Sequence, residues 1–383
     1  MSVTAARGFT AAGIAAGIKE SGNRDLALVV TEGPRCTAAG VFTSNRVQAA
    51  PVQWSRQVLA NGEIRAVVLN SGGANACTGA QGLKDTRATA ERAACLLGLD
   101  SLDVAVCSTG LIGVPLPMDR LLAGVESAVA LLSASGGQDA ARAVMTTDTV
   151  PKTAAVTRGG WTVGGMAKGA GMLAPGLATM LVVLTTDADV DSAALDRALR
   201  EATRTTFDRI DSDGCMSTND TVLLLASGAS EVAPKYAEFA EALRAVCDDL
   251  GQQLIRDAEG ASKDIKVEVV GAASEDDAVE VGRSIARNNL LKCAVHGEDP
   301  NWGRVLSAIG TTAAAFEPDR LDVAVNGVWV CRNGAVGEDR TLVDMSGRDV
   351  TITVDLAAGK EDAVIFTNDL TADYVHENSA YSS

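Results

Sequence analysis

Lys168-Gly169-Ala170-Gly171-Met172-Leu173-Ala174-Pro175-Gly176-Leu177-Ala178-Thr179 runs directly into Met180-Leu181-Val182-Val183-Leu184. A glycine-rich turn of small residues opens onto a continuous apolar run, the pattern of a buried strand. Thr179 stands at the join. A threonine so placed can cut its own chain: its hydroxyl attacks the preceding carbonyl, the Ala178–Thr179 bond breaks, and Thr179 gains a free α-amine. Hydroxyl and amine then sit on one residue as nucleophile and base. An ordinary turn into a core strand is the simpler reading, and the local residues alone favour it.

Outward from this stretch, short β-branched runs alternate with helical patterns. Strands are expected over Asp25–Thr31, Arg65–Asn70, Asp103–Ser108, Thr179–Thr185, Thr221–Ala226, Ile265–Val270, Leu321–Val325, Thr351–Leu356 and Ala363–Thr367. Ser192 can cap a helix whose Leu195, Ala198, Leu199 and Ala202 share a face. Phe239, Leu243, Val246, Leu250 and Leu254 line another. Such alternation argues for an α/β layered architecture. A domain boundary is expected near residues 272–282.

Composition narrows the function classes. A chain of 383 residues, 47% hydrophobic, can bury more than one core. With 38 glycines and only 3% aromatics, backbone contacts and tight turns must do much of the packing. The net charge of −16 repels a nucleic acid, and no basic patch interleaves with aromatics. The eight cysteines (Cys36, Cys77, Cys95, Cys107, Cys215, Cys247, Cys293, Cys331) form no C-x-x-C pair and read as thiols of a reducing cytosol. The two histidines, His296 and His376, lack neighbours at metal-ligand spacing, so no metal is expected. No leader pattern opens the chain, and no apolar run approaches the ~20 residues of a membrane helix. No membrane partner is expected.

Four polar loops follow expected strands. Asn70–Gly79 is rich in amides and glycines but lacks the G-x-G-x-x-G spacing of a dinucleotide loop. Ser108-Thr109-Gly110-Leu111-Ile112-Gly113 sets a hydroxyl beside a glycine N–H, two adjacent donors for an oxyanion. Glycine at 110 would let that oxyanion approach with no Cβ in the way, so Gly110→Val is expected to lower turnover with the fold mostly intact. The local residues alone favour Thr109 as the cap of a turn before Leu116–Leu132. Asp211–Asp220 lacks the spacing of a calcium loop and reads as a hydrogen-bonded turn. Asp299–Arg304 puts a Trp and an Arg beside a turn.

These pieces, with Met145–Asp148, Lys168–Thr179, Ser217–Asp220 and the tail Glu377–Ser383, occur in an order that resembles the ornithine acetyltransferases of arginine biosynthesis, over essentially the whole chain. The resemblance implies a precursor that cleaves itself between Ala178 and Thr179 into an α chain (1–178) and a β chain (179–383), assembled as an α2β2 heterotetramer in the cytoplasm. It implies an αββα-type sandwich, shared with aminopeptidase–esterase relatives and completed by residues 179–275, then a smaller C-terminal α/β region over 280–383. The implied reaction moves acetyl from N-acetylornithine to glutamate through an acetyl-Thr179 intermediate, with acetyl-CoA as a second donor substrate and no bound cofactor. By position, Thr179 is the nucleophile, Thr109 and Gly110 are the oxyanion pair, and Thr146, Lys168, Thr179, Glu259, Asn378 and Ser383 bind substrate. Ser382 and Ser383 stand where the family often has Thr, and the hydroxyl is kept. The alternative is an N-terminal-nucleophile amidohydrolase or aminopeptidase of the same fold, with water as acceptor.

Overall fold

A computed structural model describes residues 2–174 and 180–380. The chain divides into two compact units, the first built from residues up to Asp208 and from Cys215–Asp257, the second from Arg209–Gly214 and the residues from Ala258 to the C-terminal helix. The division therefore falls at Asp257/Ala258, not near 272–282. A strand and a helix of the second unit occupy residues 264–286, and their apolar faces bury into that unit's core.

In the first unit the strands are β1 (Phe9–Ile14), β2 (Leu26–Thr31), β3 (Thr37–Phe42), β4 (Ala66–Gly73), β5 (Val104–Leu111), β6 (Lys152–Arg158), β7 (Trp161–Lys168), β8 (Leu181–Thr186) and β9 (Thr221–Ala226). They form a four-stranded sheet of order β1-β2-β4-β5 and a five-stranded sheet of order β3-β9-β8-β7-β6. One apolar core joins them: Leu28, Val67, Leu69 and Val106 of the first sheet cluster with Met166, Leu181, Val183, Leu223 and Leu225 of the second. Helices α1 (Ala50–Val58), α2 (Gly79–Leu97), α3 (Met118–Ala130) and α4 (Gly137–Ala143) cover the first sheet, while α5 (Ser192–Thr205) and α6 (Tyr236–Arg256) cover the second. The layering is αββα.

The second unit has a sheet of β10 (Asp264–Ala272), β11 (Asp322–Val325), β12 (Val328–Arg332), β13 (Ala335–Val336), β14 (Asp349–Asp355) and β15 (Glu361–Asn368), in the order β13-β12-β11-β14-β10-β15. Helices α7 (Glu275–Ala286), α8 (Asn289–His296) and α9 (Trp302–Ile309) flank it, and α10 (Ala372–Ala380) follows.

Several strands are poor in the residues that strands favour. β1 (FTAAGI), β3 (TAAGVF) and β7 (WTVGGMAK) escape a propensity reading because small residues leave room for a close neighbour. A Cβ on Gly13 would stand 2.0 Å from Asp139 O, so α4 can lie on β1 only with glycine there. The cap of α5 also differs from expectation. Asp191, not Ser192, accepts from the Ala194 amide, its side chain preceding the first helical residue as a cap must.

Candidate active site

The parallel pair β4–β5 extends three residues further into the polar loops than the sequence pattern indicates, to Gly73 and Leu111. Ser71 and Gly72 pair in register with Thr109 and Gly110. Thr109 and Gly110 thus lie within β5, and Thr109 caps no turn. Asn70 and Ser108, both buried, are tied side chain to side chain: Ser108 Oγ donates to Asn70 Oδ1 at 2.6 Å. Gly110 has φ +126°, and a Cβ built on it would stand 2.6 Å from the carbonyl carbon of Gly72 and the amide nitrogen of Gly73. The glycine therefore serves the contact between β4 and β5. Gly110→Val would drive its side chain into backbone, so an intact fold is not expected of that variant.

β7 ends at Lys168, whose side chain is buried. Its Nζ donates to Thr109 Oγ1 at 3.3 Å, bringing two of the expected site residues together from different sheets. The charge is balanced by Asp148. That carboxylate accepts from the Gly169 amide at 2.7 Å, from the Thr146 amide at 2.9 Å and from Lys152 Nζ at 2.7 Å. Burial alone would raise the Asp148 pKa, but Lys168, Lys152 and the Gly169 amide outweigh it and hold the group at about 2. Lys152 is wholly buried and also meets Asp257, 2.5 Å away; Asp257 in turn accepts from the Thr149 amide. One carboxylate thus fixes the Thr146 segment and the Lys168–Gly169 segment against each other.

Ala178 and Thr179 lie outside the described residues, as does Ser383. The amide that follows, Met180 N–H, donates to Asp220 Oδ1 at 3.1 Å. Asp220 is fully buried, and burial raises its pKa well above the usual carboxylate range, against the pull of the Met180 amide and the Ser217 hydroxyl. Among the described residues Asp220 Oδ2 has no hydrogen-bond partner. Its neighbour Asn219 donates from Nδ2 to Ala74 O at 2.6 Å and to Ser108 O at 2.8 Å. The Ser217–Asp220 motif, expected as part of a turn, therefore clamps the approach to β9 onto the β4 and β5 ends.

Glu259 and Asn378 belong to the second unit. Glu259 is half-buried and lines a small cavity of about 70 Å³ together with Lys292, Asn368, Asp369 and Tyr374. The Lys292 ammonium, its pKa lowered by burial, is bound to Ser212 O. Asn378 is exposed on α10 and donates to Tyr374 O at 3.0 Å.

Sequence reasoning assigned no role to Asp148, Lys152, Asp257, Asn219 or Asp220. The sequence carried no usable signal for them: Lys152 opens β6, which was not expected as a strand, and a lysine there calls for a buried counter-charge only once its burial is known. Among the described residues no group of three or more His, Cys, Asp and Glu side chains could hold a metal ion. No helix among them is long and apolar enough to cross a membrane.

Residues 10–383 match the ArgJ family. The arginine biosynthesis bifunctional protein ArgJ of Streptomyces avermitilis is 80% identical over 383 residues, which is 100% of each chain. The protein of that name from Streptomyces coelicolor is 78% identical, again over 100% of each chain. A solved structure, ornithine acetyltransferase complexed with ornithine from Mycobacterium tuberculosis, is 58% identical, with a TM-score of 0.45, covering 47% of this chain and 96% of that one.

Proposed function

This chain belongs to the ArgJ family, and on that premise we propose that it is a glutamate N-acetyltransferase of arginine biosynthesis, acting through an acetyl-enzyme on Thr179. The identity of 80% across the full chain carries the reading. The buried Lys168–Thr109 contact, with the buried Asp220 on the amide after residue 179, supports the site assignment.

The chain first cuts itself. Thr179 Oγ attacks the Ala178 carbonyl, the peptide C–N bond breaks with the proton passing to the new amine, and water hydrolyses the resulting ester. Residues 1–178 and 179–383 then form the two chains of an α2β2 heterotetramer in the cytoplasm. The freed α-amine has a reference pKa of about 8, close enough to neutrality to take the hydroxyl proton. Thr179 Oγ attacks the acetyl carbonyl of N-acetylornithine, and the oxyanion rests on donors from Thr109 and Gly110. One such donor contributes on the order of 3–4 kcal/mol. The acetyl C–N bond breaks, ornithine leaves with the proton, and acetyl stays on Oγ. The glutamate amine then attacks the ester, giving N-acetylglutamate and free Thr179. Thr146, Lys168, Glu259, Asn378 and Ser383 are the proposed substrate-binding residues. The steps require no metal and no bound cofactor. The relatives' name is bifunctional, which fits acetyl-CoA as a second acetyl donor.

The test is an intact mass under denaturing conditions. Two pieces meeting at Ala178/Thr179 are expected, with one acetyl group on the 179–383 piece after N-acetylornithine is added. Thr179→Ala is expected to stay a single chain and to be inactive; a cleaved or active variant overturns the reading. Release of ornithine that does not depend on glutamate would instead make the protein an amidohydrolase.

A further inference from the structure

Lys19 lies in the bend between β1 and β2, and the bend is built around Asp25. That carboxylate is wholly buried and accepts from the amides of Ala16 at 2.6 Å, Ile18 at 2.6 Å and Lys19 at 3.0 Å. Three amides on one carboxylate leave the loop little freedom. It delivers the Lys19 side chain over Gly72: a Cβ on Gly72, at φ +107°, would stand 3.1 Å from Lys19 Cγ. Gly72 is the residue that pairs with Gly110. The ammonium ends on two main-chain carbonyls, Met145 O at 2.6 Å and Arg24 O at 2.9 Å. The first belongs to the residue before Thr146.

Lysine normally keeps its charge in water or against a carboxylate. Here the side chain is half-buried and hydrogen-bonded to uncharged oxygens. It also stands close enough to Lys168 for the two ammoniums to repel; burial and that repulsion lower its pKa, against the attraction of Asp25 and Asp148. Among the described residues nothing takes its third N–H. Lys19, its stem over Gly72, and Lys168, on Thr109, flank the paired β4 and β5 ends, and with a donor in hand on Lys19 the two cations suit an anion.

We propose that Lys19 binds the α-carboxylate common to the amino-acid substrates, working beside Lys168 at the Thr109–Gly110 end of β5. The assignment rests on the transfer reaction proposed above and deepens it: the site selects substrates with a free carboxylate next to the acetylated nitrogen.

The experiment compares N-acetylornithine with N-acetylputrescine, which lacks that carboxylate, as kcat/KM or as inhibition constants where turnover is slow. Lys19→Met is expected to lower kcat/KM for N-acetylornithine by about 10- to 100-fold, chiefly through KM, as loss of one charge-assisted hydrogen bond does. For N-acetylputrescine the same variant should change by less than about threefold, because the lost partner is absent from that substrate. Lys19→Arg, which keeps the charge, should recover most of the loss. Equal losses on both substrates, or none on either, overturn the assignment and make Lys19 a pin of the loop. If Lys19→Met does not fold, an Lys19→Arg protein as impaired as a neutral substitution predicts has the same meaning. A wild-type protein that transfers no acetyl to glutamate overturns the transfer reading itself, and the Lys19 assignment with it.

Discussion

Asp148 shows how much one side chain can hold. Its carboxylate takes two amides and a buried ammonium, and balances a second one. Replacing it with Asn keeps the shape but leaves Lys152 and Lys168 undercompensated in the interior. Removing one partner of a buried pair typically costs about 3–5 kcal/mol. Asp148→Asn is therefore expected to lose stability of that order in urea unfolding. Adding Lys152→Met, which removes one stranded ammonium, should return part of it; a double variant no more stable than the single one would argue against the pairing. Little of this was legible beforehand. Met145–Asp148 stood out only as part of a motif series, because a carboxylate four residues before a lysine is common on any surface. Only burial makes the pair costly and therefore informative.

Among the elements, the junction of β4, β5 and β9 is decided by one amide. Asn219 satisfies two buried carbonyls, one at Ala74 and one at Ser108. Asn219→Ala leaves both without that donor, at about 1–3 kcal/mol for each buried group left unsatisfied. The loss should appear as a lower unfolding midpoint and as faster amide exchange at the β5 end. Unchanged exchange there would mean that the clamp does not hold the strand. The strands with Val, Leu and Ile in runs were readable from the chain, and Thr221–Ala226 coincides with β9. β1, β3, β6, β7, β12 and β13 were not expected as strands. The alanines and glycines of β1, β3, β6 and β7 carry weak strand preference, and contacts across the sheet override it.

For the whole molecule, buried carboxylates push stability in opposite directions with pH, Asp148 in one sense and Asp211 and Asp220 in the other. Asp148, in the first unit, has its folded pKa depressed to about 2. Its contribution is present above the unfolded value near 4 and is lost as pH falls toward 2. Asp211, in the second unit, is raised to about 6 by burial, against the pull of the Arg287 guanidinium 2.7 Å away. Its contribution is present below the unfolded value and is lost as pH rises through about 6. Each is worth on the order of 2–3 kcal/mol. In hydrogen exchange from pH 3 to 7, the protection that core amides of the first unit owe to Asp148 should appear as a difference between the unsubstituted protein and Asp148→Asn that grows as pH rises from 3. Those of β10, β14 and β15 should lose protection between pH 4 and 6. Asp211→Asn should flatten the second trend and leave the first; a difference that does not grow with pH would contradict the Asp148 shift, and a flat second trend the Asp211 shift.

Local pattern alone determined the alternating α/β character, the apolar faces of α5 and α6, and the order of motifs that marks the family. Each depends on residues close in the chain, where periodicity and turn chemistry act directly. The tertiary structure decided the rest. It placed Thr109 beside Lys168 and tied Asp148, with Thr146 of its own segment, to the end of β7. It closed β4 on β5 through glycines that no side chain could replace, and drew the unit division at Asp257/Ala258. The physical reason is burial. A charge, an amide or a missing Cβ acquires its role from what surrounds it, and those surroundings come from residues tens to hundreds of positions away.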